Sequence, residues 1–313
     1  MTRSSSDLFR TALVSGSALL AIAGAPVFGQ TIELERTVSG HLALDVGIGD
    51  HGDFTFALDT GANRTAIAQD VAERLGFVST WSAPDDVQSL TRLFEAERFH
   101  MADIDVPQLE PQNLNMVVVP VPPTHSSDVA GLLGLDAFQG LRYRIDFQNA
   151  RIDLNPDHEF QGDGRVDPEY GLLFGAARLG STARVARVII DSGSPYTIAN
   201  PTLHFRFMSR DGIRYRISGV DGRTGDDADY FTVRQFRIGN LCIRRHPILQ
   251  ADLDIFHAVG WQDGPAIVIG MDILAEARVT IDRQTGQWDI DPAGSAFRCS
   301  SSERVNLDAL GAD

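Results

Sequence analysis

Two short strings carry the chemistry of this chain, Asp59-Thr60-Gly61 and Asp191-Ser192-Gly193. Each closes an apolar run, Phe54-Thr55-Phe56-Ala57-Leu58 before the first and Arg187-Val188-Ile189-Ile190 before the second. One such triplet is an ordinary turn, since Asp, Ser, Thr and Gly are common turn residues. Two of them, each at a strand end, suggest more. Splitting an amide without a metal or a covalent nucleophile takes an acid and a base at one carbonyl, and two carboxyls within hydrogen-bond reach supply both. Like charges that close cannot both ionise, so the pair keeps one proton. The ionised carboxylate then draws a proton from a water held between them, and the protonated partner donates to the carbonyl oxygen. Asp59 and Asp191 are therefore the candidate catalytic residues, with titration steps that belong to the pair. Gly61 and Gly193 let the two loops approach with no Cβ in the way, and the hydroxyls of Thr60 and Ser192 can bond backbone across the boundary.

The elements that must position these turns are written twice. The two aspartates lie 132 residues apart, and a second motif, Leu132-Leu133-Gly134-Leu135-Asp136, returns 136 residues later as Val268-Ile269-Gly270-Met271-Asp272. The Ile145-Asp146 and Ile281-Asp282 steps, and the strands ending in Pro156 and Pro292, repeat at the same spacing of 136. An internal repeat of this kind predicts two copies of one structural unit. Between the motifs both halves alternate with a period of two, from Leu93 (LFEAERFHMADIDV) and from Tyr230 (YFTVRQFRIGNLCI), so the fold is predicted mainly β. One helix is predicted, Thr65 to Leu75, with Gly76 as its C-terminal cap. The polar stretch from Asp157 to Tyr170 reads as the connection between the halves. Asp136 and Asp272 read as turn residues bonded to local backbone.

These motifs resemble the pepsin and retropepsin superfamily of aspartic peptidases. FALDTGANRTAI is similar to the retropepsin-type turn, VIIDSGSPYTIA to the pepsin-type turn, and GLLGLDAF and AIVIGMDIL to the family's second motif. The resemblance spans about Phe54 to Pro292. It implies a bilobal fold of two related β-barrel-like lobes, the active site at their interface, and the strands bearing Gly134 and Gly270 running beneath the catalytic turns. It also implies a flap hairpin over the substrate. The first half departs here, because Ser79 to Gln88 contains neither glycine nor tyrosine. Trp81 is then the candidate lid residue, and the Gly219-Val220-Asp221-Gly222 hairpin tip makes the second half the alternative source of the flap. A second departure is Ala62, which has no hydroxyl where Ser194 has one. In the family that hydroxyl supports the ionised carboxylate. The expectation is that Asp191 is the base and Asp59 the proton donor, with Ala62→Ser shifting the activity profile toward lower pH.

Composition narrows the remaining classes. The 313 residues are 43% hydrophobic and 22% charged, a globular balance. A net charge of −15 with no basic run leaves no source of nucleic-acid affinity. The eight histidines show no paired ligand spacing, so neither a metal nor any other cofactor is expected. The Asp-Ser-Gly order at Asp191 also occurs in serine-peptidase nucleophile turns, but no glycine precedes the aspartate and no histidine has a matching neighbourhood. Residues 1–29 read as a signal peptide, with Arg3 and Arg10 before an apolar run too short to span a bilayer. The expected organisation is a first lobe at 30–160, a second at 161–299 and a polar tail at 300–313. The mature chain is expected to be a periplasmic or secreted monomer without a membrane span, and no pro-segment is evident. Cys242 and Cys299 leave two alternatives open, one bridge or two separate thiols. The functional expectation is an endopeptidase acting on a peptide or protein substrate. The alternative is a catalytically silent, pepsin-like binding module of the cell envelope.

Overall fold

The computed structural model describes residues 29–77, 83–120, 129–180, 185–203, 215–220, 226–298, 305 and 307–310. All but Gly29 of the leader read at 1–29, together with Trp81, Gly222 and Cys299, lies outside these residues. The first half contains β1 (Thr31–Glu33), β2 (Glu35–Arg36), β3 (Leu42–Ile48), β4 (Asp53–Leu58), β5 (Ala66–Ala68), α1 (Gln69–Arg74), β6 (Asp85–Gln88), β7 (Leu93–Ala96), β8 (Arg98–Asp105), β9 (Gln112–Val119), β10 (Gly131–Leu133), β11 (Arg142–Asp146) and β12 (Arg151–Leu154). The second contains β13 (Gly164–Val166), β14 (Leu173–Leu179), β15 (Val185–Ile190), β16 (Ile198–Ala199), β17 (Tyr215–Ile217), β18 (Asp226–Ile238), β19 (Leu241–Gln250), α2 (Asp254–Ala258), β20 (Ala266–Ile269), α3 (Met271–Leu274), β21 (Ala277–Asp282) and β22 (Gln287–Pro292). The mainly β expectation holds.

The repeat in sequence is a repeat in topology. In the first half β3, β4, β10, β5, β9 and β8 pair in that order, and the β3–β8 pairing closes them into a ring. In the second half β14, β15, β20, β16, β19 and β18 do the same, closed by β14–β18. Within each ring the strand bearing the aspartate runs parallel to the strand of the second motif, β4 to β10 and β15 to β20. That central placement explains the apolar runs. A strand with both faces covered is hydrophobic rather than alternating, and the last three residues of β4 and of β15 are buried.

The strands outside the rings join the halves. β1, β12 and β11 from the first half continue through β11–β21 into β22 and β13 from the second. Trp288 on β22 is fully buried at this junction, its ring lying where Cβ atoms on Gly164 and Gly175 would stand 2.0 and 2.5 Å away. Its Nε1–H donates to the carbonyls of Arg165 and Phe174, both at 3.1 Å.

Three local expectations change. The helix predicted at Thr65 to Leu75 begins only at Gln69, because Ala66–Ala68 is buried as strand β5 between β10 and β9. Sheet pairing outcompetes a helical pattern of this length, since an isolated helix so short has little stability of its own. Gly76, at φ +70°, does close α1. The Asp157–Tyr170 connection holds β13, and Asp163 within it is fully buried and accepts from the Ile290 amide at 2.9 Å. Near the C-terminus, Val305 is fully buried against Gly239, and the Leu307 amide donates to the Gly162 carbonyl. Cys242 on β19 is in a disulfide; the sequence has one other cysteine, Cys299.

Because Trp288 fills the junction and satisfies two carbonyls, Trp288→Ala is expected to destabilise the chain by about 3–5 kcal/mol, the usual range for emptying a large aromatic site. Denaturant unfolding of wild type and variant measures this.

Candidate active site

The two acidic turns meet. Thr60 N–H donates to Ser192 Oγ and Ser192 N–H donates to Thr60 Oγ1, each at 3.0 Å. The hydroxyls donate onward, Thr60 Oγ1 to the Ile190 carbonyl at 3.0 Å and Ser192 Oγ to the Leu58 carbonyl at 2.8 Å. Both side chains are buried, so each hydroxyl accepts from one turn and donates to the strand end of the other half, with nothing left unpaired. The β-strand ends therefore cannot slide relative to one another without breaking four buried bonds.

This lattice sets the carboxyls side by side. The Asp59 and Asp191 carboxyls are within hydrogen-bond reach of each other, 7% and 4% exposed respectively. Each opposes the other turn's glycine. A Cβ on Gly61 would lie 2.4 Å from Asp191 Cγ, and one on Gly193 would lie 2.5 Å from Asp59 Oδ2. Only glycine fits there, as the sequence predicted. The turn amides face inward: Gly61 N–H donates to Asp59 Oδ1 at 2.8 Å, and Gly193 N–H to Asp191 Oδ1 at 2.8 Å.

The second-motif glycines hold the turns from below. Gly134 and Gly270 pass so close to the following segments that a Cβ would strike the Arg64 backbone at 2.6 Å or the Tyr196 backbone at 2.4 Å. The Leu133 and Ile269 carbonyls accept from the Asp59 and Asp191 amides, both at 3.0 Å. Thr65 and Thr197 tie each turn down: their hydroxyls donate to Asp136 and Asp272, both at 2.7 Å, and accept from the Gly134 and Gly270 amides. Asp136 and Asp272 thus bond these threonine side chains, which sequence reading missed. The available signal was a threonine six residues after each aspartate.

This geometry can be set beside known proteins. Residues 44–137 match the family model of aspartyl proteases. This part of the chain belongs to the aspartic-peptidase superfamily. The match covers the Asp59 turn and Gly134 and ends before Asp191, and the second half is related to the first through the internal repeat. No curated protein matches the chain.

Burial and the pairing of charges set the protonation of the two carboxyls. Desolvation raises the Asp191 carboxyl well above the ordinary aspartate value, and the neighbouring Asp59 charge raises it further. Desolvation also raises Asp59, offset by the Gly61 amide, the hydrogen bond from Asp191 and the positive field of His41. Burial thus holds both carboxyls above the ordinary aspartate value, and the pair keeps a shared proton. The support expected from the Ser194 hydroxyl takes another form. Ser194 Oγ donates to the Tyr196 carbonyl at 2.8 Å, and it is the Ser194 N–H that reaches Asp191 Oδ1, at 3.1 Å. The basis for an acid shift on Ala62→Ser falls with it.

A cavity of about 280 Å³ opens on the pair, its floor set with Asp59, Gly61, Asp191 and Gly193. Val117, Val119 and Leu132 form one wall, and Leu172, Ile189 and Ile255 another. Its roof comes from both halves. The β6–β7 hairpin of the first contributes Gln88, Ser89 and Leu90, and the β17–β18 connection of the second contributes Ser218 to Val220. The tip of the first hairpin lies at Ser89 to Arg92, past the Ser79 to Gln88 stretch, and it needs no glycine. Ser89 Oγ accepts from the Thr91 and Arg92 amides at 3.3 and 3.1 Å and closes the turn as an Asx-like cap. The two tips touch, since a Cβ on Gly219 would lie 2.5 Å from Thr91 Oγ1.

The hairpin is also fastened across the cavity. The Ile255 amide donates to the Leu90 carbonyl at 3.2 Å, and Gln88 Nε2 donates to Asp254 Oδ2 at 3.0 Å, both on α2. Leu90 packs against the apolar cluster of the second half. Among the described residues no group of three or more His, Cys, Asp or Glu side chains is placed to hold a metal ion.

Two outcomes follow. Gln88→Ala removes one of the two bonds fastening the hairpin, worth about 0.5–1.5 kcal/mol, so hydrogen exchange at the Ile255 amide is expected to speed by about 2–10-fold. The raised Asp191 carboxyl makes the folded state hold more protons than the unfolded state above the ordinary value of 3.8. Stability from this group is present below that value and is lost as pH rises through the folded pKa. Asp191→Asn carries no charge to desolvate, so its melting temperature should gain on wild type as pH rises from about 4 toward neutrality, by about 2–4 °C per kcal/mol relieved.

Proposed function

We propose that the chain is an aspartic endopeptidase in which a water held between Asp59 and Asp191 attacks the peptide carbonyl. The observation that carries this reading is the pair itself: two buried carboxyls within hydrogen-bond reach, open to one cavity, with their protonation pushed apart by their surroundings. Asp59, ionised, takes the proton from water. Asp191, protonated, donates to the carbonyl oxygen as the centre becomes tetrahedral. Thr60, Gly61, Ser192 and Gly193 keep the carboxyls in register, so the geometry is in place before substrate binds.

The two closed rings correspond in this reading to two lobes, the first within residues 30–160 and the second within 161–299, with the pair at their seam. The substrate is an extended peptide lying between the apolar walls and beneath the two tips. Extended binding suits a site built from strands, where main-chain bonds supply affinity and alternate pockets supply selectivity. The leader-like segment at 1–29 supports export, to the periplasm or beyond. One chain carries both aspartates, which supports action as a monomer.

Purified protein incubated with denatured casein or a peptide library between about pH 3 and 7 is expected to cleave, and a pepstatin-type inhibitor to stop it. Asp59→Asn and Asp191→Asn should each lower kcat/KM by at least about 100–10,000-fold, the span of acid–base catalysis. Absence of cleavage by wild type across the range would favour the silent binding module instead.

A further inference from the structure

The two halves repeat each other closely around the aspartates, so a place where they differ singles out a residue with its own task. In the first ring Ala43 pairs with Ala57, and in the second Phe174 pairs with Ile189. Ala57 and Ile189 lie 132 residues apart, as the aspartates do, so His41, two residues before Ala43, corresponds to Leu172. Leu172 is an apolar wall of the cavity. His41 is a buried imidazole, 4% exposed, and reaches the other half: its Nε2 lies 3.1 Å from the Gly193 carbonyl oxygen.

The hydrogen at Nε2 follows from its partner, in the neutral and the charged ring alike. A carbonyl only accepts, so Nε2 carries the hydrogen. Nδ1 lies 3.0 Å from Ser39 Oγ, which is itself 2.9 Å from Thr37 Oγ1, and the Thr37 hydroxyl accepts from the His41 amide at 3.0 Å. The β2–β3 turn is thus a polar bracket that aims the ring.

What the ring grips is one particular peptide group. The Gly193 carbonyl and the Ser194 N–H belong to the same amide, and that N–H donates to Asp191 Oδ1 at 3.1 Å. A hydrogen bond to an amide's oxygen polarises the unit and strengthens its N–H as a donor. A continuous chain therefore runs from His41 Nε2–H through the Gly193–Ser194 peptide to the Asp191 carboxyl. At the first turn Asp59 Oδ1 accepts from Gly61, and the Ala62 amide donates to the Asp59 backbone carbonyl at 3.3 Å. We propose that His41 is a positioning residue for the catalytic pair, acting through the Gly193–Ser194 peptide to hold and polarise the additional N–H bond that Asp191 receives.

The proposal rests on the peptidase reading only for its effect on turnover; its effect on the carboxyls stands alone. Loss of His41 weakens the donor to Asp191 and removes a positive field from Asp59, and both changes favour the protonated forms. The other described ionisable side chains lining the cavity are Arg64, Asp86 and Tyr170. Arg64 is paired with Asp85, and none of these is among the causes of the shift at either aspartate.

The test compares His41→Leu, which copies the matching residue of the second half, with His41→Gln, which keeps an N–H donor, and with Ser39→Ala, an exposed change that only loosens the bracket. Carbon-13 titration of the aspartate carboxyls in the full chain, assigned with Asp59→Asn and Asp191→Asn, reads the pair directly. His41→Leu is expected to move both steps upward, by at least about half a pH unit, with His41→Gln recovering part of the shift and Ser39→Ala showing a smaller one. Peptide cleavage should show kcat lowered about 10-fold with KM within about twofold for His41→Leu, partly restored in His41→Gln. Unmoved titration steps in a folded His41→Leu chain, or a His41→Gln chain indistinguishable from it, would overturn the proposal. A wild type that cleaves nothing would sink the peptidase reading, and the carboxyl titration would still decide the role of His41.

Discussion

Everything at the centre of this molecule depends on a buried exchange of hydrogen bonds between two turns from opposite halves of the chain. Thr60 and Ser192 each accept from the other's amide and each donate to the other half's strand end. A hydroxyl is the right group for this because it is donor and acceptor at once, and both are satisfied here without water. The exchange does more than add stability. It brings two carboxyls together against their mutual repulsion, and holds them in a site where burial already disfavours charge.

The consequence is a proton that neither aspartate owns alone. Burial raises both carboxyls, and their surroundings then separate them. Asp191 faces the Asp59 charge, while Asp59 has the Gly61 amide, the Asp191 hydrogen bond and the field of His41 to offset its desolvation. Two identical side chains are thereby given different surroundings, by placement. The rings behind them serve that placement. β4 and β15 each lie between one antiparallel and one parallel neighbour with their last three residues buried, and Gly134 and Gly270 let the second-motif strands press against the turns closely enough for the threonines beyond to be bonded.

Near-symmetry also makes the departures informative. The roof over the cavity is built from both halves, and the first-half hairpin is fastened across it to α2. The imidazole at His41 stands where the second half has Leu172. A repeated scaffold thus carries different side chains on its two sides.

Much of this could be read from residue order alone. The duplicated Asp-Thr/Ser-Gly turns, the apolar runs before them and the second-motif glycines all carry local signals, because turn chemistry, strand burial and the absence of a Cβ leave marks at fixed offsets. Other features left none. Ala66–Ala68 has a helical pattern and became a strand because two partners from distant sequence buried it. The Ser194 hydroxyl turned to the Tyr196 carbonyl, so the groups that support Asp191 follow from what converges on the pair and not from the turn sequence. The hairpin tip found its partner on α2, more than 160 positions away, and His41 found Gly193 152 positions away. Sequence by itself determined which residues repeat and what chemistry they could do. Only the tertiary structure decided which of them meet, because a hydrogen bond or a shared proton depends on distances that the order of residues along a chain does not contain.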